Sequence, residues 1–214
     1  QAAWANLANV YFRLGKFEKS ELACRKTLDL NANLFNINLF LGRILINKKK
    51  LNEAEYYLRR SIEIKHNNHE AYYSLGLIYR EYGDLREARK LIKMAIEINP
   101  NYTIAYYDLG CLLISSGDFE LARDYISESI KLKPNFSKGY SLLGGILYNL
   151  GKLEDALIST TKAIELDPKY VFSYYNLSLI LLKLRRLKDA TDAIKTVIKI
   201  KPDYPNAYST LGKI

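Results

Sequence analysis

The chain has 214 residues, of which 49% are hydrophobic and 26% charged. That balance excludes a disordered chain, and the length suits one long or two ordinary globular domains. The formal charge is +9, no apolar run approaches the roughly 18 residues of a membrane span, and no secretory leader pattern opens the chain.

The first 34 residues set a pattern. Trp4, Leu7, Ala8 and Tyr11 fall at i, i+3, i+4 and i+7, which is one face of a helix. Gly15 is a natural stop. Ser20, Cys24, Thr27 and Leu28 then form the inner face of a second helix. The pattern repeats without insertion over 35–68, 69–102, 103–136, 137–170 and 171–204, and 205–214 begins a seventh copy. Leu7 returns as Leu41, Leu75, Leu109, Leu143, Leu177 and Leu211. The place of Trp4 is taken by Asn38, Tyr72, Tyr106, Tyr140, Tyr174 and Tyr208, and that of Ser20 by Ala54, Ala88, Ala122, Ala156 and Ala190. A Gly follows most of the leucines, where a small residue lets two helices approach closely. Pro100, Pro134, Pro168 and Pro202 close four of the second helices, because the residue before Pro resists the α conformation. Two copies depart: Lys49 and Arg185 stand where other copies carry the turn Gly, and the copy with Lys49 also has Asn38 for the aromatic and His66 for the Pro. Their turns are predicted to be strained or differently shaped, with the hairpins kept by the Leu and Ala anchors.

Each copy therefore reads as an antiparallel helix hairpin, which cannot bury its apolar face without neighbours. Trp/Tyr, Leu, Gly, Tyr/Leu, Ala, Ala and Pro at these offsets resemble the tetratricopeptide repeat, over the whole chain. The resemblance implies an all-α fold, an α-solenoid of stacked antiparallel helix hairpins forming a right-handed superhelix. It implies one array over 1–214, with first helices lining a concave groove, and a role in binding other proteins. Because the pattern is already running at Gln1 and still running at Ile214, the chain reads as an excerpt of a longer protein.

Several copies place two tyrosines side by side. The first (Tyr72, Tyr106, Tyr174) occupies the Trp4 place and is predicted to pack inside. The second (Tyr73, Tyr107, Tyr175) is turned about 100° around the helix, toward the other face. In the resembling arrays that face lines the ligand groove, so the resemblance makes it the candidate site. From the second and third copies it offers Phe40, Tyr73 and Leu77, and from the fourth Tyr107 and Cys111. The fifth offers Leu142 and Tyr148, and the sixth Tyr175, Asn176 and Leu179. Tyrosines are favoured anchors at interfaces, since each brings ring area and a hydroxyl. They also serve as filler between packed helices. Two recognition modes of the family lack their residues here. The carboxylate clamp finds no Lys/Asn set, and the asparagine ladder is broken through Asn6, Phe40, Ser74, Asp108, Leu142, Asn176 and Thr210. The expected ligand is an apolar or amphipathic protein or peptide segment held through side chains.

The remaining features argue against other functions. The basic clusters at 47–50 and 183–188 fall at hairpin turns rather than along one path, so nucleic acid is not an expected partner, and neither is a membrane. His66 and His69 lack the accompanying Cys or carboxylates of a metal site, and no metal or other cofactor is expected. With no phosphate loop and no nucleophile–base set, the chain is not read as an enzyme. Cys24 and Cys111 lie in different copies and are expected to be free thiols, Cys24 in the core, in a reducing compartment and hence the cytoplasm. The leading function is a protein-interaction scaffold. The alternatives are a substrate-selecting or spacing arm of a larger enzyme such as a transferase, and an array that self-associates through open ends.

Overall fold

The computed structural model describes residues 2–214. Thirteen helices account for the described residues: α1 Ala2–Arg13, α2 Phe17–Leu30, α3 Phe35–Asn47, α4 Leu51–Ile64, α5 His69–Glu81, α6 Leu85–Ile98, α7 Thr103–Ser115, α8 Phe119–Leu132, α9 Ser137–Asn149, α10 Leu153–Leu166, α11 Val171–Lys183, α12 Leu187–Ile200 and α13 Pro205–Leu211. None is long and apolar enough to cross a membrane. The chain divides into two compact units, 1–105 and 106–214. Within each unit the helices pair as hairpins, and successive hairpins stack, as the repeat pattern requires.

The anchors explain the pairing. Ala54 and Ala88 are fully buried, and so is Ser20, whose hydroxyl donates to the Ala8 carbonyl 2.7 Å away and so replaces the alanine contact with a hydrogen bond. Facing them, a Cβ on Gly42 would lie 2.7 Å from Leu58 Cγ, so only a hydrogen there lets α3 and α4 close. In unit 1 the core then runs continuously through Leu41, Ile44, Leu58, Leu75 and Ile78. In unit 2 the buried leucines and isoleucines form smaller clusters around Leu147, Leu181 and Ile194.

All six hairpin turns share one conformation. Gly15, Gly83, Gly117 and Gly151 have φ between 68° and 82°, and Lys49 and Arg185 adopt φ of 59° and 61°. The next residue's N–H reaches back to the helix in both kinds: Lys16 to the Tyr11 carbonyl and Lys50 to the Leu45 carbonyl, each 2.9 Å. The hydrogen-bonded closure thus fixes the shape, and a side chain at Lys49 or Arg185 bears the left-handed strain without changing it. Of the two outcomes expected for these turns, strain is present and a different shape is not.

The other departures are also absorbed locally. Asn38, buried in the aromatic place, donates from Nδ2 to the carbonyls of Ala32 and Leu34 at 3.0 and 2.9 Å, which ties down the linker before its own helix. Where the linker lacks Pro, buried Asn68 caps α5 and donates to Ser61 Oγ at 2.9 Å. His69 packs its ring edge-on against Tyr102, with Nε2 3.1 Å from Asn99 Nδ2. Among the described residues no group of His, Cys, Asp and Glu is placed to hold a metal ion.

Candidate functional site

The side chains at the second-tyrosine place are half-buried, and they meet partners that the repeat spacing alone does not suggest. Tyr73 packs edge-on against Tyr102, Tyr107 against Phe136 and Tyr175 against Tyr204, with ring centroids 5.2, 5.0 and 5.4 Å apart. Each partner is the residue immediately before the next first helix. The second tyrosine therefore pins the start of the following hairpin with one ring edge or face and leaves the rest of its surface to line the outside. Such pairs contribute about 0.5–1.5 kcal/mol beyond buried area.

In unit 1 two hollows lie along this face. One of about 350 Å³ runs from α1 across α3 to α5. Its wall is apolar at Phe40 and amide-rich at Asn6, Asn9 and Asn36, and the Arg43 guanidinium crosses to Glu70 at 3.1 Å. Phe40 is steadied by Phe12, edge-on at 5.1 Å. The second, about 150 Å³, is bounded by Ile46, Tyr73, Ser74, Leu77 and Tyr102. The Ser74 hydroxyl turns inward to the Glu70 carbonyl, 2.7 Å away, so the surface between Tyr73 and Leu77 is largely hydrocarbon.

In unit 2 a hollow of about 230 Å³ opens between α7, α9 and α11. Rings of Tyr107, Tyr170 and Phe172 surround it with Leu142 and Ile114, and Lys138 and Asn149 stand at its edge. Its floor depends on Gly145, where a Cβ would come within 3.4 Å of Asn176 Nδ2. That amide donates to the Ser141 carbonyl at 2.9 Å, a bond from α11 to α9 that fixes the amide plane. Burial pushes the Tyr107 hydroxyl above its ordinary pKa, and the neighbouring Cys111 thiol, to which it is hydrogen-bonded, and Tyr170 add to the rise. Tyr170 is raised likewise, first by burial. Both phenols are neutral across the physiological range and can donate as well as accept.

Of the ten residues expected on this face, Phe40, Tyr73 and Leu77 line the hollows of unit 1, and Tyr107, Leu142 and Asn176 line that of unit 2. Cys111 is half-buried beside Tyr107. Tyr148 packs on the Leu147–Ile180 cluster, and Tyr175 on the cluster of Ile194, Val197 and Ala207. Leu179 is half-buried and borders none of the three hollows. Phe172 falls on the same helical face as Tyr175, whereas its ring partner Tyr170 does not follow from that face. Tyr170 sits in the linker, outside any helical periodicity, and the one available signal was the aromatic that ends several copies of the repeat (Tyr102, Phe136, Tyr170, Tyr204).

Family models for the tetratricopeptide repeat match residues 2–34, 35–68, 69–102, 91–124, 137–170 and 160–192. No curated protein matches the chain in sequence. Among solved structures, PilF of Pseudomonas aeruginosa is similar with a TM-score of 0.88 at 14% identity, over 100% of this chain and 97% of that one. YrrB, described as a TPR protein with an unusual peptide-binding site, is similar with a TM-score of 0.76 at 22% identity, over 90% of this chain and 98% of that one. MamA is similar with a TM-score of 0.67 at 26% identity, over 78% of this chain and 92% of that one. At these identities PilF and YrrB share the fold.

Proposed function

Because the chain belongs to the tetratricopeptide repeat family, we propose that it is a non-catalytic protein-interaction scaffold, and that an apolar or amphipathic segment of a partner docks along the first helices. The observation that carries this reading is the unit 2 hollow, in which the rings of Tyr107, Phe119, Tyr170 and Phe172, with Leu142, surround a fixed amide and remain open to solvent. Rings of this kind bring large contact area at low entropic cost, and the Asn176 amide gives an extended backbone something to bond. Phe40, Tyr73 and Leu77 are the corresponding anchors in unit 1. The peptide-binding site attributed to YrrB supports the same class of ligand by analogy.

The test begins with a displayed random-peptide library selected on the immobilised chain. Selected peptides are then titrated by fluorescence anisotropy into wild type, Leu77→Asp and Leu142→Asp, with circular dichroism as the check on folding. A carboxylate placed among these rings should weaken binding at least tenfold in one variant or the other, which is the scale of an interface hot spot. Equal affinity for both folded variants would remove the first-helix face from consideration.

A further inference from the structure

In unit 1 the second helices α2 and α4 are joined by an arginine. Between α2 and α4, Arg25 donates to Glu53 at 2.5 Å and to the Tyr57 hydroxyl at 3.0 Å, while Lys50 lies 3.7 Å from the same Glu53. Arg59, the equivalent of Arg25 in the next repeat, turns instead to Glu55 of its own helix at 2.9 Å and to the Tyr79 hydroxyl of α5 at 2.8 Å. Arg25 and Tyr57 thus occupy the cleft between α2 and α4.

Four repeats after this cleft, unit 2 has the same place between α10 and α12, and there it is a hollow of about 460 Å³. The residue equivalences are direct. Thr161 stands for Arg25 and Ala193 for Tyr57, so the guanidinium and the ring that would fill the cleft are both gone. Asp189 stands for Glu53 and Arg186 for Lys50, so the carboxylate and its first cation are kept. Arg186 pairs with Asp189 at 2.7 Å, as Lys50 approaches Glu53 in unit 1. The edge of the carboxylate that Arg25 takes in unit 1 has no cation here. Asp192 adds a second carboxylate, exposed and without a partner among the described residues. Leu157 and Leu177 form an apolar floor beneath. Two carboxylates against one guanidinium leave the hollow negative within a repeat whose own charge is positive, so the charge is local to the cleft.

We propose that the hollow between α10 and α12 is a docking site for an arginine side chain presented by a protein partner. The planar guanidinium bridges Asp192 and the open edge of Asp189, and the aliphatic stem lies on Leu157 and Leu177 in the volume left by Ala193. Arginine fits better than lysine: its fork serves two carboxylates at once, and its weaker hydration suits an apolar floor. The site takes its carboxylates from α12 and shares no lining residue with the three hollows of the first helices.

Methyl spectra of the full chain with labelled alanines report on Ala193. Titration with N-acetyl-L-arginine amide should move that methyl saturably. The lysine analogue should bind at least fivefold more weakly, and the uncharged citrulline analogue should leave the methyl unmoved. Asp192→Asn, at an exposed position, should weaken the arginine response at least fivefold. Thr161→Arg supplies in the chain what unit 1 already carries, and should both abolish the response and raise the melting temperature by a few degrees. A linear, unsaturable shift, an equal response to citrulline, or an undiminished response in Asp192→Asn overturns the assignment. If lysine binds as tightly as arginine, the site is a general cation contact and the arginine proposal fails.

Discussion

Glu21 offers the sharpest test of how hairpins are held together in unit 1. Its side chain is 11% exposed, yet its carboxylate faces Arg25 and Lys48 at 2.7 Å each and Lys50 at 3.7 Å. Burial acts to raise its pKa. The hydrogen bonds from Lys48 and Arg25 outweigh that and hold it at about 2, against an ordinary value of 4.5. Each pKa unit is 1.36 kcal/mol, which sets a ceiling of roughly 3 kcal/mol on the stabilisation. The cations reach solvent, and exposed pairs contribute little, so about 2 kcal/mol is the working figure. Because the folded value is depressed, this stability is fully present above pH 4.5 and is lost as pH falls toward 2. Glu21→Gln keeps the shape and removes the charge. Trp4, the chain's one tryptophan, sits in the first hairpin under Lys26, 4.5 Å from the ring centroid, so its fluorescence follows this hairpin selectively. Urea titrations at pH 7 should place the variant about 2 kcal/mol below wild type. The gap should close progressively between pH 4.5 and 2.5, where wild type loses the same charge. A gap under 0.5 kcal/mol at pH 7, or one that does not change with pH, would refute the reasoning.

The left-handed turns and the tyrosine pairs give further tests. Lys49→Gly and Arg185→Gly relieve backbone strain of about 1 kcal/mol each, and for Lys49 the lost contact is an exposed 3.5 Å pair with Glu81. Each should raise the melting temperature by about 2–4 °C, and a fall in either variant would show that the side chain matters more than the turn. A double-mutant cycle on Tyr107 and Phe136 to alanine should return a coupling of about 0.5–1.5 kcal/mol from urea titrations. A coupling near zero would mean that the rings touch without mutual stabilisation.

How far the sequence reaches can be judged residue by residue. A strict period makes helices, turns and anchors legible, because Leu41, Leu75 and Ala54 each sit in an environment repeated with each copy of the hairpin. Substitutions at anchor places are legible only as departures. Nothing in the sequence says that Asn38 would turn back to two linker carbonyls, since that depends on where the linker passes. The second tyrosines mislead in a more instructive way. Their periodicity turns them away from the Trp4 place. Their ring partners, though, lie 29 residues on, in a linker, where helical spacing gives no warning. A residue can therefore be at the candidate site and still owe part of its presence to the stack.

The same argument inverted finds the arginine hollow. In a repeat, every place has an internal control, so a substitution can be weighed against what its equivalents do. Thr161 and Ala193 are unremarked small residues on their own. Set against Arg25 and Tyr57 they are the two losses that open one cleft, and the carboxylate at Asp189 is what remains of the filled version. Arg186 holds one oxygen of Asp189 at 2.7 Å, and Asp192 stands one turn away, so the proposed arginine takes the place that Arg25 takes in unit 1.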